Sequence, residues 1–200
     1  LPKSRDSLIA VLRSAYSGEL AAGFAYAGHW RSVSNPEERE RIKSIEAEEW
    51  HHRELVGAML LELGARPSPA REFVFRAIGR TLGPLCSLSG WLAPMYGAGW
   101  LESHNIVEYE TAARLAVESG HGRFVECLLE MAEVEWEHEL YFRQRVLSHV
   151  LARFIPMWKA PPPKLEIRRG SSQAAAGSGG TKAWSQPRGP REPPVPVRPP

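Results

Sequence analysis

Four stretches of the chain repeat apolar residues at spacings of three and four, the period of a helix with one buried face. The first gives Ile9, Leu12, Tyr16, Glu19, Gly23, Tyr26, Trp30 and Val33. The second gives Ile42, Ile45, Glu49, His52, Val56, Met59 and Leu63, and the third Leu92, Met95, Gly99, Glu102, Ile106, Tyr109 and Ala113. The fourth gives Phe124, Leu128, Met131, Glu135, His138 and Phe142. Boundaries follow from caps and breakers. The first helix runs from about Ser4 to Val33. Asn35 then caps a helix with Pro36 at its first position and Glu37 and Glu38 in its first turn. That helix stops at Gly64, with Pro67 beyond. A third long helix is expected from Pro94 to Gly120 and a fourth from His121 to about Ala152.

Connection lengths set the topology. The first and second helices are joined tightly, as are the third and fourth, so each pair forms an antiparallel hairpin. The Gly/Pro-punctuated link between them, residues 64–93, is long enough to cross the bundle and is expected to hold one short helix. The predicted fold is therefore all-α: a ferritin-like four-helix bundle of two hairpins joined by a long crossover. It occupies residues 1–160. Residues 161–200 turn to Ser/Gly/Ala and then Pro/Arg, a composition that cannot bury enough surface to fold, and read as a disordered C-terminal tail.

Every seam is interrupted by polar residues at its centre. The second and fourth carry Glu-x-x-His (Glu49/His52 and Glu135/His138). The first and third carry one Glu followed seven residues later by Tyr (Glu19/Tyr26 and Glu102/Tyr109). The chain thus reads as a duplicated hairpin, and "EEWHHREL" at 48–55 is echoed by "VEWEHELY" at 134–141. In the first of these, a competing register places Glu48 and His51 on the row Arg41, Ser44, Leu55, Ala58 and Glu62. That row is mostly wet, so Glu48 and His51 are expected to face water or a partner. Four carboxylates in one core cost several kcal/mol each unless paired, so a cation must sit among them. Four Glu and two His, divided over four helices in this way, form the ligand set of a carboxylate-bridged di-metal site. Four carboxylates balance two divalent ions, and oxygen with imidazole suits iron or manganese, iron being preferred. The expected metal ligands are Glu19, Glu49, His52, Glu102, Glu135 and His138. Tyr26 and Tyr109 read either as catalytic-site residues or as packing residues with hydrogen-bonded hydroxyls. Trp50 and Trp136, one step from the ligands, read as packing residues.

Charge sharpens this picture. The formal net charge of +2 divides unevenly: residues 161–200 hold seven Lys/Arg against two Glu, and residues 1–160 hold eighteen against twenty-one acids. The basic balance belongs to the tail, and nucleic acid is not an expected partner. Twenty of the twenty-one acids in the body are Glu, the acid that tolerates helix interiors, and one is Asp6. Cys86 and Cys127 form neither a CxxC motif nor a disulfide framework, which indicates a reducing compartment. The chain opens on Leu1 without a Met or a signal-peptide pattern, and reads equally as a fragment. "TLGPLCSLSGWLAPMYGAGWL" at 81–101 is uncharged over a membrane-spanning length, but two Pro and four Gly argue for an apolar crossover packed on the body or against a membrane surface. The expected location is cytoplasmic, or peripheral on the inner face of a membrane. "REPPVPVRPP" in the tail reads as a polyproline ligand or as an unstructured extension.

At these residues the sequence resembles the demethoxyubiquinone hydroxylase (Coq7-type) branch of the ferritin-like superfamily. "GELAAGFAYAGH" (18–29) is similar to that family's first-helix motif, "LELGARPSP" (61–69) to its exit from the second helix, and the Gly-rich apolar run before Glu102 to its membrane-facing segment. The resemblance covers about residues 4–155. Val107 and Glu108 stand where the family pattern places a His, and Gly23 and Phe24 where it places Asn or Gln. The resemblance implies a di-iron monooxygenase of ubiquinone biosynthesis that activates O2 and hydroxylates a quinone ring carried on a polyprenyl tail. Its partners would be O2, a quinone-like lipid and a membrane surface contacted by the crossover and "VLARFIPMWKA". With no Rossmann or flavin motif, electrons would come from a donor or from bound quinone. Other readings are a rubrerythrin-like peroxidase or ferroxidase, against which the missing CxxC…CxxC module weighs, and a non-catalytic iron-binding protein. The length also admits a homo-oligomer.

Overall fold

Asn35 ends one helix and opens the next: its side chain accepts hydrogen bonds from the amides of Glu37 (2.9 Å) and Glu38 (3.2 Å), with Pro36 at the first helical position. Gly64, at φ +64°, supplies the left-handed turn that closes the second helix, and Ala65 N–H donates back to Leu60 C=O at 2.9 Å. In the computed structural model, which describes residues 2–175, the elements are α1 (Pro2–Ser32), α2 (Pro36–Glu62), α3 (Pro69–Leu88), α4 (Leu92–Glu118), α5 (Val125–Ser148) and α6 (Lys164–Ala175). Short 3-10 turns stand at Gly122–Phe124 and Ala152–Phe154. The chain is all-helical over these residues.

α1 pairs with α2 and α4 with α5, while α1 also packs along α4. These four helices are the expected bundle of two hairpins. Three of the four seams are buried as read, from Ile42 to Leu63, Met95 to Ala113 and Phe124 to Phe142. Two apolar layers result. One holds Leu12, Val56, Met59, Ile106 and Leu128, the other Ala22, Ile42, Ile45, Met95 and Phe142.

Two expectations are corrected. The link does not hold a short helix: α3 spans 20 residues and lies along α1. Gly79 and Gly83, which look like breakers in sequence, are contact points. A Cβ on Gly28 would collide with the Gly83 backbone, and one on Gly79 with the backbone of Ala21. The two helices therefore approach backbone to backbone. Because α3 covers it, α1 is buried on a wider face than its stripe predicts. Ala15, Ala22 and His29 are buried where Tyr16 and Trp30 are only half-buried. The second correction concerns residue 160 as the end of ordered structure. Lys164–Ala175 form α6, whose Ile167 is buried in the core. Arg168 bonds Glu133 (2.5 Å) and Glu126 (2.6 Å), and Trp136 Nε1 donates to Pro162 C=O at 2.9 Å. The polyproline stretch lies outside the described residues.

Candidate metal centre

Between the two apolar layers the four helices place six polar side chains within reach of one another. Glu19 comes from α1, Glu49 and His52 from α2, Glu102 from α4, and Glu135 and His138 from α5; all are buried. They form two overlapping groups whose ligand atoms lie within 4.8 Å of one another: Glu19, Glu49, His52 and Glu135; and Glu49, Glu102, Glu135 and His138. Glu49 and Glu135 belong to both groups. Each group is completed by one further Glu and one His, so the arrangement has the two-fold symmetry that the repeated hairpin implies.

The hydrogen bonding is incomplete in an informative way. His52 Nδ1 lies 2.9 Å from Glu135 Oε1, and His138 Nδ1 lies 3.3 Å from Glu49 and 3.4 Å from Glu135. Yet Glu19 Oε2, both oxygens of Glu49, Glu135 Oε2 and His138 Nδ1 have no hydrogen-bond partner. Buried polar atoms without partners cost about 1–3 kcal/mol each, more when charged. Five of them lie together in the buried core, and their donor set of carboxylate and imidazole fits two divalent ions.

Without a cation the charges are held apart by protonation. Burial, then the neighbouring charge of Glu49, pushes Glu19 well above the ordinary carboxylate range. Burial and the charge of Glu135 do the same to Glu102 and raise Glu49 to about 8. Burial also acts upward on Glu135, but the close contacts of His138 and His52 outweigh it and hold that carboxyl well below its usual range. For His138 burial opposes the proton, and contacts to Glu135, Glu48 and Glu49 overcome it.

The tyrosines cross between the hairpins. Tyr26 of α1 donates to Glu102 of α4, and Tyr109 of α4 donates to Glu19 of α1. Each therefore orients the lone Glu of the opposite hairpin rather than the one on its own helix. Trp50 packs against Gly23 and edge-on to Phe24 at 5.5 Å. Glu137 is exposed and bonds Lys164.

One assignment is corrected. Glu48 was expected to face water or a partner, and instead its Oε2 contacts His138 Nε2. Burial pushes Glu48 up, but the His138 bond, followed by the charges of His138 and Arg41, leaves its carboxyl below the ordinary range. The ring of His138 is thereby gripped at one nitrogen and turned so that the other faces the cluster. His51, its companion on the wet row, is half-exposed near Glu54 as expected. The wet-row position of Glu48 gave no sign of this contact. Its counterpart in the repeat is Val134, so the echo gave none either.

Beside the cluster lies a cavity of about 370 Å³ between α1, α3 and α4. Its walls are largely apolar, including Ala22, Leu82, Leu85 and Leu101, and Tyr26 and His29 reach it from α1. It therefore adjoins the Tyr26–Glu102 pair on one side.

The fold and the arrangement of candidate ligands define a class: a ferritin-like bundle of the kind whose core carboxylates and histidines can hold two metal ions. Over residues 6–110 the sequence matches the family model Ubiquinone biosynthesis protein COQ7, and the chain belongs to that family. It is also 35% identical over 78 residues to a protein of Francisella tularensis subsp. novicida (strain U112) named 3-demethoxyubiquinol 3-hydroxylase. That alignment spans 38% of this chain and 37% of the relative's length. No solved structure matches the chain significantly. The family match ends at residue 110, before α5, so it does not cover Glu135 and His138, which the seam of the fourth helix predicts and the geometry brings to the cluster.

Proposed function

We propose that the chain is a di-iron monooxygenase that hydroxylates the ring of a polyprenyl quinone precursor, presented as the quinol, in ubiquinone biosynthesis. The observation that carries this reading is the pair of buried ligand groups sharing Glu49 and Glu135, in a chain of this family. Glu19, Glu49, His52 and Glu135 would hold one ion, and Glu49, Glu102, Glu135 and His138 the other. Two reduced iron ions held in this way would supply the electrons and the open positions needed to activate O2. One oxygen atom is inserted into a ring C–H bond, and the other leaves as water after taking up two electrons and two protons. An external donor or the quinol itself supplies the electrons.

The chain's own residues do the remaining work. Tyr26 and Tyr109 hold Glu102 and Glu19 in orientation, and Glu48 holds His138. The two apolar layers keep bulk water from the cluster. The cavity between α1, α3 and α4 would take the ring, beside Tyr26. Its outer edge opens among exposed apolar side chains of α3 and α4, including Ile78, Leu82, Leu85, Leu88 and Trp100. Val150, Leu151 and Phe154, after α5, add to this surface, tied to the start of α4 by the stacking of Trp91 on His149 at 5.4 Å. Such a surface suits the face of a bilayer holding a lipid substrate. No helix among the described residues is long and apolar enough to cross a membrane.

Turnover of a short-tail demethoxyubiquinol by the iron-loaded protein, with isotopically labelled O2 and a reductant, tests the reading. A ring hydroxyl carrying the label is the expected product. Consumption of O2 or peroxide with iron oxidation and no ring hydroxylation would favour a ferroxidase or peroxidase instead.

A further inference from the structure

His29 is the polar residue in the cavity wall that the cluster leaves unused. It is buried, with 2% of its surface exposed, and its Nε2 has no hydrogen-bond partner. Its ring is fixed: it lies nearly parallel to Tyr26 at 6.2 Å and to Phe142 at 5.9 Å, with interplanar angles of 17° and 18°. The other polar side chains around the cavity are committed or weak. Tyr26 donates its hydroxyl to Glu102, Ser89 donates its own to Leu85 C=O at 2.8 Å, Cys86 offers a thiol, and Trp100 is exposed to solvent. An imidazole nitrogen buried without a partner, in a residue of the cavity wall, costs about 1–3 kcal/mol unless something polar arrives to meet it.

We propose that His29 Nε2 is the hydrogen-bond anchor for a ring oxygen of a quinol or quinone seated in the cavity between α1, α3 and α4. The inference rests on the substrate reading given above and assigns it a specific polar contact. Three features select such a ligand. The walls are apolar, which suits a substituted ring and the first part of an isoprenoid tail, and the exit between Leu82, Leu85 and Leu101 is apolar as well. One polar contact on one wall suits a ring oxygen at the edge of an otherwise greasy molecule. His29 sits one helical turn beyond Tyr26, so an oxygen bound to it leaves the rest of the ring beside Tyr26, the residue that bonds Glu102. Burial lowers the imidazole pKa to about 4, so the ring is neutral at ordinary pH. As a neutral ring it can accept from a quinol hydroxyl or, in the other tautomer, donate to a quinone carbonyl. The same site would thus hold both oxidation states.

The test is binding to the purified, metal-loaded full chain, read by quenching of tryptophan fluorescence, with Trp100 in the cavity wall. The probes are a ubiquinone carrying one isoprene unit and prenylbenzene, which has the tail but no ring oxygens. His29→Phe keeps the stacking and removes the nitrogen, and is expected to weaken the ubiquinone by about tenfold while leaving prenylbenzene unchanged. His29→Gln restores a polar group and is expected to recover most of the loss. Metal content equal to wild type in both variants separates lost binding from lost structure. Ubiquinone binding that is unaffected in His29→Phe but abolished by the cavity-filling Leu85→Trp would overturn the role of His29 and leave the cavity standing. Failure of the metal-loaded wild type to bind the ubiquinone would overturn the substrate reading, and the anchor with it.

Discussion

Glu48 and Glu49 differ by one position and by their surroundings: both oxygens of Glu49 lie in the core without a hydrogen bond, while Glu48 reaches His138 from the rim. A seam argument sorts residues by where the Cα–Cβ bond points, so it identified all six cluster residues and both tyrosines. It misplaced Glu48 because three methylene-length bonds let a rim carboxylate bend back to a facing helix. Glu48→Ala is expected to lower metal affinity by about 10–100-fold without unfolding the chain, measured by competition with a chelator. His29 escaped the same argument because its burial depends on α3, which α1's own pattern does not reveal. Its pKa of about 4 lies below the unfolded value of 6.5, so the unfolded chain takes up the proton first. Stability from this group is therefore complete above about pH 6.5 and is lost as pH falls toward 4. The loss reaches about 2 kcal/mol by pH 5. Denaturant titrations at neutral pH and near pH 5 should show a smaller acid loss for His29→Gln than for wild type.

At the scale of elements, α1, α2, α4 and α5 were legible because spacing, caps and breakers agree on each of them. Asn35, Gly64 and Gly120 mark the turns that their neighbours require, the two glycines at positive φ. α3 was not legible as a long helix because its glycines and Pro84 carry the signature of a link. What overrides that signature is tertiary contact: α1 and α3 touch through Gly28, Gly79 and Gly83, and Arg53 of α2 bonds Glu72, which also accepts from Ser17 at 2.7 Å. A side chain at this crossing has no room. Gly28→Leu is expected to cost about 1–3 kcal/mol or more in chemical denaturation, by overpacking. Because α3 forms one wall of the cavity, the same substitution should weaken quinone binding more than metal binding.

Across the whole molecule the repeat explains the site. Each hairpin brings one lone Glu, one Glu-x-x-His and one Tyr, and neither hairpin alone assembles either four-residue group. The pseudo-symmetry was readable from "EEWHHREL" and its echo. The covering parts, α3 and α6, lie outside the repeat and had no echo to reveal them. α6 illustrates why composition misled: its polar sequence gains order from Ile167 in the core and from Arg168 on Glu126 and Glu133. Loading metal must displace the proton that Glu49 keeps up to about pH 8. Apparent affinity for Fe(II) or Co(II) is thus expected to rise from about pH 6 to about pH 8, with protons released on binding.

The central claim is that two ions share Glu49 and Glu135. Elemental analysis of the full chain after anaerobic Fe(II) loading and desalting tests it most directly, alongside Glu135→Ala and Glu137→Ala. Because Glu135 belongs to both ligand groups and Glu137 to neither, the account predicts two irons per chain for wild type and for Glu137→Ala, and loss of both from Glu135→Ala. A wild-type chain that is folded by circular dichroism yet holds no iron, or a Glu135→Ala variant that keeps its full complement, would contradict it.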